Sequence, residues 1–268
     1  MNHRLMLSAV AVAALAAAAP AFAQSSGPDA QDNTPWHGWY LGVNLGGNWG
    51  HGAQRLSAAP GNSAVVIPPA DIAAIETVTG KSNPAGFTGG IEGGYNYKYK
   101  SSGLLLGFET DFDAFSLDQS VTKTFTPTVQ VNPPPPTTPT ATVSQSLKTD
   151  WLWTLRPRIG WVFGDGRWLI YGTGGLAVGN AKHTAAYSDN LLPPNSAAIS
   201  TSETKVGWVA GVGGGYAISN NWSIKAEWLY TDLGTAHASA ATPDGYAIIT
   251  STGNIRSNIV RVGVDYRF

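Results

Sequence analysis

Glu109, Asp111 and Asp113 recur at every second residue of the stretch Gly107-Phe108-Glu109-Thr110-Asp111-Phe112-Asp113. On an extended strand this spacing sets three carboxylates in one row on one face. Neighbouring carboxylates of that kind can divide the work of an acid and a base. Alternate positions elsewhere supply partners: Glu92, Glu227 and Asp265 on the acidic side, and Arg156, Arg158, Lys205, Lys225, Arg261 and Arg267 on the basic side. Six acids against six bases nearly cancel. An unpaired charge in a closed interior is costly, so the row reads as one side of a structural charge network rather than as a reaction centre.

The remaining chemistry-bearing patterns are weak. Ser120-Val121-Thr122-Lys123 and Ser202-Glu203-Thr204-Lys205 fit S-x-x-K, but no S-D-N or K-T-G accompanies them. Gly80-Lys81-Ser82 ends like a phosphate loop, yet the glycine required five residues earlier is Ile75. His37, His51, His183 and His237 fall at strand ends or in loops without metal-ligand spacing. No catalytic, cofactor-binding or metal-binding residue is nominated, and the chain is read as a non-enzyme with no cofactor.

The first 23 residues read as an address. His3 and Arg4 precede an apolar run from Leu5 to Ala19, and Ala21-Phe22-Ala23 supplies a small-x-small cleavage site. Residues 24–35 are polar and are expected to form a flexible periplasmic segment. Residues 36–268 are expected to form the folded domain. Cysteine is absent, so stability must come from packing and closure. A formal net charge of −1 with 12% charged residues gives no electrostatic basis for binding nucleic acid. The 32 glycines, 10 tryptophans and 10 tyrosines suit strands better than helices.

Eight stretches alternate with period two. They cover Trp36–Gly50, Gly86–Lys98, Leu104–Phe115, Asp150–Phe163, Trp168–Asn180, Thr204–Ile218, Trp222–Thr231 and the last eleven residues. In most of them one face is apolar and aromatic while the other is polar or glycine. Pro157 within its strand predicts a bulge. The stretch 168–180 has mixed parity that leaves its inward side open, with a bulge or kink expected at Gly172 to Gly175. Pro69 to Thr77 could form a short helix, since proline suits a helix start. A short hairpin through Tyr246 to Thr250 is a further expectation. The final strand carries Val260, Val262, Val264, Tyr266 and Phe268 on its apolar face.

Connections alternate long and short: about 20 to 35 residues against about 3 to 5, the asymmetry of up-and-down membrane barrels. The fold class expected is therefore all-β: an eight-stranded antiparallel up-and-down transmembrane β-barrel, with long external loops and short periplasmic turns. An even strand number places both termini in the periplasm. The lumen of such a barrel holds little more than its own side chains.

The sequence resembles the small alphaproteobacterial outer-membrane proteins of the RopB-like porin-family group, within the wider OmpA-like β-barrel class. The resemblance rests on Trp36-His37-Gly38-Trp39-Tyr40-Leu41-Gly42, Gly86-Phe87-Thr88-Gly89-Gly90, Gly107-Phe108-Glu109-Thr110-Asp111-Phe112, Tyr171-Gly172-Thr173-Gly174-Gly175-Leu176-Ala177 and Lys225-Ala226-Glu227-Trp228-Leu229-Tyr230. It implies an envelope barrel with a structural or surface role; a narrow porin, or an adhesin or haemin binder acting through its loops, are the alternatives. The partners expected are outer-membrane lipid and the barrel-assembly machinery, the latter through the C-terminal strand.

Overall fold

The computed structural model describes residues 35–268 apart from 51, 61–68, 77–79, 83, 100–101, 129–137, 191–195 and 242–246. The proposed leader, all but the last residue of the 24–35 segment, His51, the proline run 133–136 and part of the expected 246–250 hairpin lie outside the described residues. Ten strands and one helix follow in order: β1 Gly38–Gly50, β2 Gly52–Pro60, α1 Pro69–Glu76, β3 Gly80–Ser82, β4 Ala85–Lys98, β5 Leu104–Phe125, β6 Ala141–Phe163, β7 Trp168–Asp189, β8 Ser196–Ala217, β9 Trp222–Ala241 and β10 Ala247–Arg267.

Eight of them form an antiparallel ring in the order β1-β4-β5-β6-β7-β8-β9-β10, and β10 pairs back onto β1 from Tyr40↔Arg267 to Gly50↔Ser257. Closure leaves no free edge in this part of the sheet. Beyond Gly50 the seam changes hands: β2 takes the place of β1 beside the first half of β10, from Gln54↔Gly253 to Pro60↔Ala247.

Outward side chains form an apolar band. Trp39, Leu45, Ile159, Val206 and Val262 are each more than half exposed in the isolated chain. Aromatic pairs edge the band at both heights, Trp168–Tyr216 and Trp222–Tyr266 near the short turns, Phe112–Trp151 and Trp208–Tyr230 toward the other end. Trp39 and Trp49 lie ten residues apart on β1. At about 3.3 Å per residue and a tilt of about 40°, that separation spans about 25 Å, the height of an outer-membrane apolar band.

One end carries tight turns. Gly164-Asp165-Gly166-Arg167 turns the chain with φ of 67° and 81° at its glycines, the left-handed conformation that glycine tolerates. The other end differs from expectation. Residues 117–147, 181–203 and 232–255 are the expected long loops, the last with a short hairpin of its own, yet strands run to Phe125, from Ala141, to Asp189, from Ser196, to Ala241 and from Ala247. Alternation persists there among Ser, Thr and Val residues, and side chains bridge strands, as in the 3.0 Å Thr124–Thr142 contact. We call this the hairpin end, and the opposite one the turn end.

Register shifts occur between Ala114 and Leu117, between Lys148 and Leu152, and between Asn254 and Arg256, where strands pass from band to hairpin. None occurs at Pro157. Its strand resumes at Arg158↔Thr173 the register it held at Leu155↔Leu176, and Thr173 Oγ1 donates to the Pro157 carbonyl at 3.0 Å. Nor is there a bulge at Gly172 to Gly175, because β7 pairs with β8 without interruption from Trp168↔Tyr216 to Ser188↔Ser196. Odd-numbered residues of β7 face inward throughout.

Candidate functional site: the layered lumen

The inward rows of β5 and β6 pass through the same succession of layers. On β5 the inward row runs Leu105, then Glu109, Asp111 and Asp113, then Phe115 and Leu117, then Gln119, then Val121 and Phe125. β6 runs antiparallel through the same sequence: Val143, Gln145, Leu147 and Leu152, Thr154, Arg156 and Arg158, then Val162. The lumen is thus a stack, apolar at both ends with a charged layer between.

At the turn end Trp36 folds over the mouth and packs with Leu105, Val162, Leu169, Tyr171 and Ala217. Its indole Nε1 donates to the Gly166 carbonyl at 3.1 Å, 130 residues away. Trp36 was expected to open the first strand; it lies instead just before β1, as a cap.

The charged layer comes next. Arg261 donates to Asp113 at 2.8 Å, to Asp111 at 3.2 Å and to Glu227 at 2.9 Å. Arg156 donates to Glu109 at 2.5 Å and Asp111 at 2.8 Å. Arg158 donates to Asn96 at 2.8 Å and Glu109 at 3.3 Å, its guanidinium lying over the rings of Tyr40 and Tyr171. Lys225 reaches Glu109, with Glu92 at 3.1 Å and Asp265 at 3.8 Å. Neutral donors complete the set. Tyr40 donates to Glu109 at 2.7 Å, Tyr171 to Glu227 at 2.7 Å, and Thr154 to Asp111 at 2.6 Å. Asn44 donates to both Glu92 at 3.2 Å and Asp113 at 2.9 Å.

Ten of the twelve charges assigned to the lumen meet here. Two do not. Lys205 faces inward but lies beyond the apolar layer, partly exposed, and pairs with Glu203 of its own strand at 2.9 Å. Arg267 sits at the turn-end rim and donates to the carbonyls of His37 at 2.6 Å and Asn220 at 2.9 Å. Alternation sets the face of a side chain and leaves its height along the barrel unspecified. Tyr40, Asn44, Tyr171 and Thr154 belong to the network as well; inward parity on their strands is the signal that could have found them.

Toward the hairpin end, Phe115, Leu117, Leu147, Leu152, Leu229, Leu233 and Ile259 form an apolar layer. A polar belt follows. Ser251 Oγ lies 3.1 Å from His183 Nε2 and also bonds to Gln145. Burial lowers the affinity of His183 for a proton, so its pKa falls below the usual value. The last layer is closed by α1, whose Ile72 packs on Leu56 and Val143 beside Val121, Phe125 and Tyr187. Asp71 of α1 accepts from both the backbone N–H and the hydroxyl of Thr128, each at 2.8 Å. The other two described histidines do not converge with it: His37 accepts from the Lys98 N–H at 3.3 Å, and His237 lies 3.3 Å from the hydroxyl of Thr252.

A closed antiparallel ring with an apolar exterior band and a packed charged interior defines a membrane β-barrel. The model of the outer membrane protein beta-barrel domain matches residues 8–268, and the chain belongs to that family. It is 32% identical over 241 residues to the 31 kDa outer-membrane immunogenic protein of Brucella melitensis, covering 88% of this chain and 85% of that protein, and equally similar to the protein of the same name from Brucella suis. Among solved structures, the outer membrane protein OprG from Pseudomonas aeruginosa aligns over 88% of this chain and 99% of its own, at 10% identity and a TM-score of 0.46. Neisserial surface protein A aligns over 86% of this chain and 97% of its own, at 13% identity and a TM-score of 0.34. The protein is a bacterial outer-membrane β-barrel.

Proposed function

We propose that this barrel is a closed, non-catalytic element of the envelope that strengthens the outer membrane and presents its hairpins to the outside. The observation that carries the reading is the filled lumen. The Trp36 cap, the charged layer, the apolar layer and the α1 cluster follow one another along the axis. A solute would have to break buried ion pairs and displace packed side chains, which weighs against the narrow-porin alternative. The turn end faces the periplasm in this reading, with both termini there, a cleaved leader before them and β10 serving as the strand that the assembly machinery engages. The name of the Brucella relatives, outer-membrane immunogenic protein, supports surface display of the hairpins. Glu109, Asp111, Asp113 and Glu227 are already engaged with arginine, lysine and neutral donors, so a role in acid–base turnover is not part of this proposal.

The test is the conductance of the refolded protein in a planar bilayer, with heat-modifiable gel mobility verifying the barrel. Silence is the expected result. Reproducible open steps that respond to Arg261→Ala would establish a pore and overturn the closed-barrel reading. Accessibility of single cysteines placed in the 126–140 connection, probed on intact cells, tests the direction of the hairpins.

A further inference from the structure

The charged layer is not neutral. Six carboxylates, Glu92, Glu109, Asp111, Asp113, Glu227 and Asp265, meet four cations, Arg156, Arg158, Lys225 and Arg261, and none of the ten is more than 6% exposed. The two cations that would have balanced the set stay at other heights. An uncompensated carboxylate in such surroundings takes up a proton or a counter-ion.

The surplus is localised by two glycines. Gly42 of β1 stands between Glu92 of β4 and Asp265 of β10, paired with both. A side chain at Gly42 would collide with the Asp265 carboxylate and one at Gly263 of β10 with Glu92 Oε1, so these bare positions on adjacent strands let the two acids lean over the same part of the wall. Like charges placed side by side in a sheet repel. Glu109 is held by Arg156, Arg158 and Lys225, while Asp111 and Asp113 are held by Arg261. Asp265 has Lys225 at 3.8 Å, and its Oδ1 accepts no hydrogen bond among the described residues. Glu92 Oε1 likewise accepts none, although Lys225 lies 3.1 Å away.

We propose that Glu92 and Asp265 share one proton at neutral pH, as a carboxylic acid hydrogen-bonded to a carboxylate. One proton removes one of the two surplus charges, and the neutral donors Tyr40, Asn44, Tyr171 and Thr154 disperse the other over the network. The charged groups surrounding the pair are Lys225 on β9, Glu109 on β5, Arg158 on β6 and Arg261 on β10. A metal ion fits less well. Oxygens of Glu92, Glu109 and Glu227 lie within 4.8 Å of one another, but Lys225 or Arg261 already pairs with each of the three acids. The proton exchanges with the turn end. A cavity of about 20 Å³ bordered by Asp265, Ser223, Lys225 and Tyr40 lies under Trp36 and holds one water at most. The apolar layer containing Leu117, Leu147 and Ile259 seals the opposite direction.

The test is infrared spectroscopy of the refolded, heat-modifiable barrel, with Glu92→Gln and Asp265→Asn beside the wild type. The carbonyl band of a protonated carboxyl is expected in the wild type at neutral pH, shifted in deuterium oxide, and lost in both variants. Its absence from the wild type overturns the proposal, whether or not either variant folds. Its persistence in both folded variants overturns the pairing. Equilibrium unfolding supplies a second readout. Because the folded state holds a proton that the unfolded chain has released, the unfolding constant should rise about tenfold per pH unit from about pH 5, where unfolded carboxyls have ionised, to the pH at which the folded pair gives up its proton, and this slope should vanish in Asp265→Asn. A flat profile, with stabilisation by added sodium or calcium, would show a cation site instead and overturn the proposal.

Discussion

Arg261 on β10 and Asp113 on β5 lie 148 residues apart in the chain and 2.8 Å apart in the lumen. Arg261 also holds Asp111 and Glu227, so one guanidinium compensates carboxylates from two strands besides its own. Arg261→Ala strands those charges and is expected to destabilise the barrel by about 3–5 kcal/mol, measured as a lowered urea midpoint of the heat-modifiable band. Arg261→Lys should recover only part of the loss, since an ammonium cannot reproduce the planar fork.

Tyr171 depends on a bare wall opposite it. A Cβ at Gly213 would meet the Tyr171 ring, whose hydroxyl donates to Glu227 at 2.7 Å. Gly213→Val is therefore expected to push the ring aside and destabilise the fold by about 1–3 kcal/mol. Combining it with Tyr171→Ala should cost less than the sum of the two changes, since the ring is then absent; a double-mutant unfolding cycle checks this.

Trp36 carries the cap at the turn end. Trp36→Ala is expected to lower stability by about 3 kcal/mol, toward the low end for a buried aromatic because the ring of strands remains closed. Quenching of the remaining tryptophans by a small polar quencher should change little, whereas solvent access to Tyr171 should increase in hydrogen exchange.

The hairpin end should respond to acid. His183 is buried beside Ser251, and burial depresses its pKa from the usual 6.5. The unfolded segment then binds the proton that the folded one refuses. Stability of this end is full above about pH 6.5 and falls as the pH drops below it. Limited proteolysis of the hairpins should accelerate at pH 5 relative to pH 8 in the wild type, and His183→Gln should remove most of that difference.

Asp71 ties α1 to the end of β5. Asp71→Ala removes two hydrogen bonds to Thr128 and is expected to cost about 1–3 kcal/mol locally. The outcome anticipated is faster cleavage within residues 69–76 with unchanged heat modifiability, because the closed ring does not contain this helix.

The ring itself was legible because lipid and lumen impose opposite demands on successive residues. Val260, Val262 and Val264 are outward on β10, and Arg261 and Asp265 inward, as the alternation requires. The same logic failed at β7, where Trp168 and Ile170 meet lipid while Leu169 and Tyr171 meet the apolar cap of the lumen. Two apolar environments on opposite faces erase the contrast. The hairpins were concealed differently. Ser, Thr and Ala residues around 141–148 resemble loop composition, and only pairing with residues 117–125 and 182–189 makes them strands. Lys205 and Arg267 show the remaining gap: their inward parity is real, but the height that decides their partners depends on tilt and stagger across the whole ring.

The seam between β1 and β10 has a consequence for assembly. Tyr40 pairs with Arg267, so the first and last strands of the ring must meet before either has a complete set of neighbours. In a strand-by-strand order that starts from β1, one row of β1 amides waits for β10. Such a contact order favours slow closure, with the unpaired β1 edge exposed until β10 arrives. The same β10 strand then zips onto β2 outside the band, so the event that closes the ring also positions the segment leading to α1. Barrel completion and the sealing of its hairpin end thus both depend on β10.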